Sequence, residues 1–146
     1  MRKMMVALTV CVLFGADSPK DAIKKEMGQL QGEWSMVSGE RDGESLPEDL
    51  VQDAKRVTKE DEVTVTLAGQ VYLKAKFAIS PSKKPKTIDY TLQDGSEKGK
   101  TMLGIYELEG DKVKFCFSSP GKDRPTEFNT KEDSGKTLSV WKRDKK

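Results

Sequence analysis

Leu30-Gln31-Gly32-Glu33-Trp34 is the stretch at which a short amphipathic helix gives way to the first of about eight strand-like segments. Before it, Ser18 can cap a helix and Pro19 suits the first helical position. The apolar side chains of that helix share one face: Ile23, Met27 and Leu30. From Glu33 onward the apolar period changes to two, which indicates a β-strand. The junction therefore predicts a helix that docks beside the start of a sheet.

The rest of the chain alternates strand-like segments with turn residues. Besides the strand at Trp34, seven segments have a strand pattern: 56–59, 62–67, 70–79, 87–92, 101–109, 112–118 and 136–143. Alternate residues in several of them are apolar, so one face of the sheet is core and the other is solvated. Short turns make neighbours in sequence antiparallel neighbours in space; they lie at 60–61, 68–69 and 109–111.

These segments predict an all-β fold. We expect an eight-stranded antiparallel up-and-down barrel with a short N-terminal helix, because closure leaves no exposed sheet edge. A two-sheet sandwich is the alternative. Residues 47–51 interrupt the pattern and predict a brief helical connector.

The N-terminus has the pattern of a secretory signal peptide. Arg2 and Lys3 are basic, residues 6–14 are nearly all apolar, and residues 15–16 are small. We predict cleavage after Ala16, which leaves residues 17–146 as one barrel domain that is secreted or periplasmic. The apolar run is far shorter than the ~20 residues that span a bilayer, so we expect no integral membrane span after processing.

The charge balance argues against a nucleic-acid partner. The chain has 26 Lys and Arg against 24 Asp and Glu, a net charge of +2. Loss of Arg2 and Lys3 with the signal peptide leaves 24 of each and a net charge of zero. Basic clusters remain at 83–86 and 142–146, but only Trp141 flanks them, whereas single-strand binding needs several stacking aromatics. We interpret them as a solvated loop and a solubilising tail.

The residue inventory argues against catalysis. The chain has no His, which removes the commonest general base and zinc ligand, and no nucleophile elbow, phosphate loop or calcium loop is present. We interpret Asp89, Glu107 and Glu127 as solvated or loop-tying carboxylates. Cleavage also removes Cys11, and we predict that the remaining Cys116 is a buried, inert thiol. We therefore expect no enzyme, no metal and no cofactor.

Several long motifs resemble a known family. They are LQGEW (30–34), PEDL (47–50), PSKKPKTID (81–89), GKTMLGIYEL (99–108) and PGKDRPTEF (120–128). Together they resemble the uncharacterised lipocalin-like domain that is abundant in planctomycete-type bacteria and often secreted. The likeness covers nearly the whole of residues 17–146, and it implies a lipocalin-like (calycin) barrel without a defined activity.

In lipocalins a Gly-x-Trp opens the first strand, and a basic residue of the last strand packs on the Trp ring. Gly32 and Trp34 match that pattern, and Lys142 or Arg143 can supply the cation. The resemblance thus implies structural roles for Gly32, Trp34 and Arg143. The Thr-Asp-Tyr turn of lipocalins is not found in its usual place.

The remaining question is whether the barrel interior holds a ligand. We expect these residues to point inward: Trp34, Met36, Leu73, Phe77, Ile105, Phe115, Phe117 and Leu138. They can fill an eight-stranded barrel or leave room for one small molecule, and a ligand-sized pocket needs roughly 300 Å³. Six residues are candidates for ligand contact in the interior or at the mouth: Trp34, Phe77, Tyr106, Phe115, Phe117 and Arg124. For Arg124, a structural clamp with Glu127 is the alternative.

Two functions fit the sequence. The first is a secreted, non-catalytic binding module for a small apolar or amphipathic ligand. The alternative is a protein-interaction or structural module of the cell envelope with a solid barrel core.

Overall fold

The computed structural model describes residues 18–145, so the predicted signal peptide lies outside the described residues. These residues form two helices, α1 (Pro19–Leu30) and α2 (Glu48–Gln52), together with nine strands. The strands are β1 (Gly32–Arg41), β2 (Glu44–Ser45), β3 (Lys55–Lys59), β4 (Glu62–Leu67), β5 (Gln70–Ser80), β6 (Lys86–Leu92), β7 (Thr101–Glu109), β8 (Lys112–Ser118) and β9 (Lys136–Arg143).

The strands close into the predicted antiparallel barrel. Each strand from β3 to β9 pairs with its neighbour in sequence, and β1 pairs with both β3 and β9. Eight strands therefore form the closed wall, and the two-residue β2 forms a short hairpin with the end of β1. Closure through β1 removes the free edges that a sandwich would leave. The all-β up-and-down barrel with its N-terminal helix is confirmed.

Helix α1 covers one end of the barrel by a face that matches the predicted stripe only in part. Ser18 caps its N-terminus, because the Ser18 Oγ accepts a hydrogen bond of 3.2 Å from the backbone N–H of Asp21. Leu30 is buried and Met27 packs half-buried against the core, as expected, whereas Ile23 is 38% exposed. Glu26 is buried instead, because two donors of the barrel satisfy its carboxylate: Lys86 Nζ at 2.7 Å and Tyr106 Oη at 2.9 Å.

Two residues expected inside the barrel lie on its outer wall. Ile105 and Leu138 are both paired across the sheet with Cys116, so all three face outward. The segment 119–135 covers this row, and Cys116 Sγ donates a hydrogen bond to Asn129 O at 3.6 Å. An apolar outer row under a covering segment has the same sequence pattern as a core row, which is why the inward prediction for Ile105 and Leu138 is wrong.

Candidate functional site

The end of the barrel next to α1 is closed by Trp34. Its side chain is fully buried, and its indole N–H donates a hydrogen bond of 3.1 Å to Leu30 O. The Arg143 guanidinium lies 4.3 Å from the indole ring centroid and donates to Gln31 O at 2.8 Å and to Gln29 O at 2.6 Å. One arginine therefore stacks on the tryptophan and also satisfies carbonyls at the end of α1.

Gly32 allows the chain to turn from α1 into β1. Its φ of +108° lies in a region that residues with a Cβ rarely adopt. These contacts are what the resemblance implied for Gly32, Trp34 and Arg143.

The half of the interior nearest to α1 is filled. Of the predicted ligand contacts, Phe77, Tyr106 and Phe115 belong to this packed core together with Trp34. Burial raises the pKa of the Tyr106 hydroxyl, and the charge of Glu26 and its hydrogen bond raise it further. Tyr106 is thus a neutral donor to the carboxylate that holds the helix.

The other half of the barrel contains a cavity of about 190 Å³ that opens toward the far end. Its walls are mostly apolar side chains of the strands, which include Val65, Leu67, Leu73, Met102, Phe117 and Trp141. Leu46 and Leu50, on either side of the start of α2, complete the wall. Of the predicted ligand contacts, Phe117 lines this cavity, whereas Trp34, Phe77, Tyr106 and Phe115 do not.

A wider vestibule of about 520 Å³ adjoins the cavity. Both spaces are lined by Arg41, Tyr72, Leu73, Met102 and Thr137, so the vestibule is the entrance. Tyr72 is the extra residue of a bulge in β5, because Leu73 pairs with Val65 and Val71 pairs with Thr66. The bulge leaves the Tyr72 side chain half exposed at the rim.

A buried arginine forms the inner end of the cavity. Arg56 of β3 is only 5% exposed, and its guanidinium lies 4.0 Å from the Phe115 ring centroid. Arg56 lines the cavity and Phe115 does not, so the arginine lies between the Phe115 ring and the cavity. Its guanidinium also lies 5.7 Å from the Tyr90 ring centroid and 5.8 Å from that of Trp141. Its Nη2 donates a hydrogen bond to Tyr90 Oη.

Within residues 18–145, Arg56 has no carboxylate partner, and Arg41 at the entrance is the other charged residue of the cavity wall. Burial raises the pKa of the Tyr90 hydroxyl, and the charge and hydrogen bond of Arg56 oppose that shift. The cavity therefore combines apolar walls with two positive charges.

Arg124 lies outside this cavity. Its Nη1 is 2.8 Å from Asp89 Oδ1, an ion pair without hydrogen-bond geometry, and donates to Gly104 O at 2.9 Å. The ion pair ties the segment 119–135 to β6, and the hydrogen bond ties it to β7. Arg124 is a clamp, as the structural alternative held, but its partner is Asp89 and not Glu127.

Arg56 is the site residue that sequence reasoning missed. Hydrophobicity favours Val57 as the inward residue of β3, yet Val57 is 43% exposed. The turn at 60–61 carried the information that could have identified Arg56, because it sets the register between β3 and β4. In that register Thr58 pairs with Val63 and Arg56 pairs with Val65. Thr58 and Arg56 therefore face inward with those valines.

The side chains and helices of residues 18–145 bear on two other classes of site, metal centres and membrane spans. No group of three or more His, Cys, Asp or Glu side chains in that range is placed to hold a metal ion. The helices described there are too short or too polar to cross a membrane.

Comparison with known proteins found no matching family model, no similar curated protein and no similar solved structure.

Proposed function

We propose that this protein is a secreted, non-catalytic, lipocalin-like binding module for a small apolar or amphipathic molecule. The observation that carries the proposal is the cavity of about 190 Å³ in one half of the barrel, with its apolar wall and its open entrance. Membership of the lipocalin-like family that the motifs resemble, and export by residues 1–16, are part of the same proposal. Small-molecule sites in proteins share this combination of an apolar wall and few polar groups.

The size of the cavity limits the ligand. An apolar cavity of roughly 150 Å³ holds one benzene molecule, whereas sites for drug-sized ligands begin near 300 Å³. The cavity of about 190 Å³ therefore suits a small ring or a short chain. A longer molecule has to extend into the vestibule past Arg41 and Tyr72.

Native mass spectrometry of the protein purified from the envelope of its own host tests this proposal. We expect a second species heavier than the processed chain by the mass of one small molecule, which is lost on denaturation. A bare chain across repeated preparations, with the cavity also failing to take up added apolar probes, would contradict the binding function.

The alternative is a protein-interaction module, and one observation favours it. Val71 and Tyr72 are adjacent at the barrel mouth and are 56% and 51% exposed. Exposed apolar side chains that adjoin one another mark contact surfaces as well as ligand entrances. A protein that co-purifies in the same experiment, released by Val71→Ser or Tyr72→Ser, would support this alternative.

A further inference from the structure

We infer that Arg56 is the receptor for an anionic head group and that the ligand is an amphipathic monocarboxylate, held with its carboxylate at the inner end of the cavity. This inference rests on the proposed binding function and names the ligand class. Its starting point is that Arg56 is buried and faces the cavity, while the described residues supply it with no carboxylate.

Most hydrogen-bond donors of Arg56 have no partner among the described residues. A guanidinium carries five N–H donors, and the hydrogen bond to Tyr90 Oη uses one of them. The rings of Phe115, Tyr90 and Trp141 offer their faces to the cation, but they supply no counter-charge. Burial of a charge normally requires a charged or strongly hydrogen-bonding partner. An anion that enters through the cavity would supply that partner.

The geometry and charge favour a carboxylate. The planar fork of a guanidinium pairs with two oxygens of a carboxylate or of a phosphate, so charge decides between these two groups. A monoanion neutralises Arg56, whereas a dianionic phosphate would leave one negative charge uncompensated in a largely apolar cavity. Arg41 does not change this balance, because it lies at the entrance, where the cavity meets the vestibule.

The shape of the cavity orients the rest of the ligand. Arg56 lines the cavity but not the vestibule, so a head group bound to it points the chain toward the entrance. The chain then passes Leu73 and Met102, which line both spaces. A linear acid can thus place its carboxylate at Arg56 and direct its methyl end toward Tyr72.

Titration calorimetry with octanoate and octan-1-ol at neutral pH tests the inference. We expect octanoate to bind about ten- to hundredfold more tightly than the alcohol, as hydrogen bonds to a charged group allow. Arg56→Met keeps most of the side-chain length without the charge and should reduce that ratio to about one while the alcohol still binds. Lys59→Met, which removes an exposed charge from the same strand, should leave the ratio unchanged.

Each result separates the two proposals. Equal binding of octanoate and octan-1-ol to the unaltered protein would overturn the role of Arg56 and leave the binding function standing. An unchanged ratio in Arg56→Met would do the same, and tighter binding of octyl phosphate would overturn the carboxylate. If neither octanoate nor octan-1-ol binds, both proposals fail. Should Arg56→Met not fold, Arg56→Lys must weaken octanoate more than octan-1-ol, and equal weakening would overturn the inference.

Discussion

At the scale of single residues, three side-chain positions at the closed end act as one unit. Trp34 fills the end of the barrel, Arg143 covers its ring, and the positive φ of Gly32 brings the helix end close enough for both. The resemblance to lipocalins implied this unit, through the Gly-x-Trp at residues 32–34 and a basic residue of the last strand. What it left open was whether Lys142 or Arg143 provides the cation; the fork of Arg143 can reach Gln29 O and Gln31 O at once.

Trp34→Ala tests how much the unit contributes to stability. The substitution removes a fully buried ring and its hydrogen bond to Leu30 O. We expect the free energy of unfolding to fall by about 3 to 5 kcal/mol in urea denaturation. Tyr72→Ala removes an exposed aromatic ring and should change it by less than about 0.5 kcal/mol. A loss below about 1 kcal/mol for Trp34→Ala would contradict its role as a plug.

Arg56 shows the opposite relation between sequence and structure. A charged residue next to Val57 is assigned to the solvated face by any rule that uses hydrophobicity alone. The register that the turn at 60–61 imposes overrides that rule and turns Arg56 inward. Residues whose placement depends on pairing with a neighbouring strand are therefore the ones that a reading of isolated segments misses.

At the scale of elements, the strands were more predictable than the faces they present. Short turns specify which strands pair, and the observed strands follow the predicted segments closely. The faces depend on what covers them, as Ile105 and Leu138 show beneath the segment 119–135. Likewise α1 was foreseen as a helix that docks through Met27 and Leu30, but the burial of Glu26 was not foreseen. That burial depends on hydrogen bonds from Lys86 and Tyr106, which belong to distant strands.

The contact between α1 and the barrel makes stability depend on pH in alkaline solution. The folded state raises the pKa of Tyr106 above its ordinary value of 10.0, through burial first and Glu26 second. The folded protein therefore holds this proton more tightly than the unfolded chain does. The contribution of Tyr106 to the free energy of unfolding is fully present below pH 10. It falls as the pH rises further, because the tyrosine of the unfolded chain then loses its hydroxyl proton first.

Tyr106→Phe tests that dependence by urea denaturation between pH 7 and 11.5. The variant should be less stable at neutral pH, because Glu26 loses a donor, but its stability should decline less steeply above pH 10. Some decline should remain, since the pKa of Tyr90 is also raised by burial. If the free energy of unfolding falls equally steeply with pH in the variant and the parent above pH 10, the pH dependence does not arise from Tyr106.

At the scale of the whole molecule, the chain encloses a second apolar layer outside the barrel. The segment 119–135 covers the row of Ile105, Cys116 and Leu138, and burial raises the pKa of the Cys116 thiol. The covering segment limits the access of a reagent to Cys116 Sγ, and the raised pKa limits the fraction of reactive thiolate. The rate at which Cys116 reacts therefore reports how often this segment opens.

Thiol labelling measures that opening in a Cys11→Ser background, where Cys116 is the single cysteine. We expect native Cys116 to react about a hundredfold or more slowly than in denaturant. Lys76→Cys adds a thiol at an exposed position of β5 and should react rapidly in both conditions. Rapid native labelling of Cys116 would show that the segment 119–135 does not protect it.

The division of the barrel into a filled half and an open half predicts that ligand uptake can be removed without loss of the fold. Val65→Phe should place an aromatic ring in the cavity in place of the smaller valine side chain. Because the cavity has free volume, the strain of overpacking is limited, and the free energy of unfolding should change by less than about 1 kcal/mol. Uptake of octan-1-ol should weaken by at least about tenfold, since the ring occupies the ligand's space. Val57→Phe adds the same ring to the exposed face of β3 and should bind as the parent does. Undiminished binding by Val65→Phe would place the ligand outside the barrel and contradict the cavity as the site.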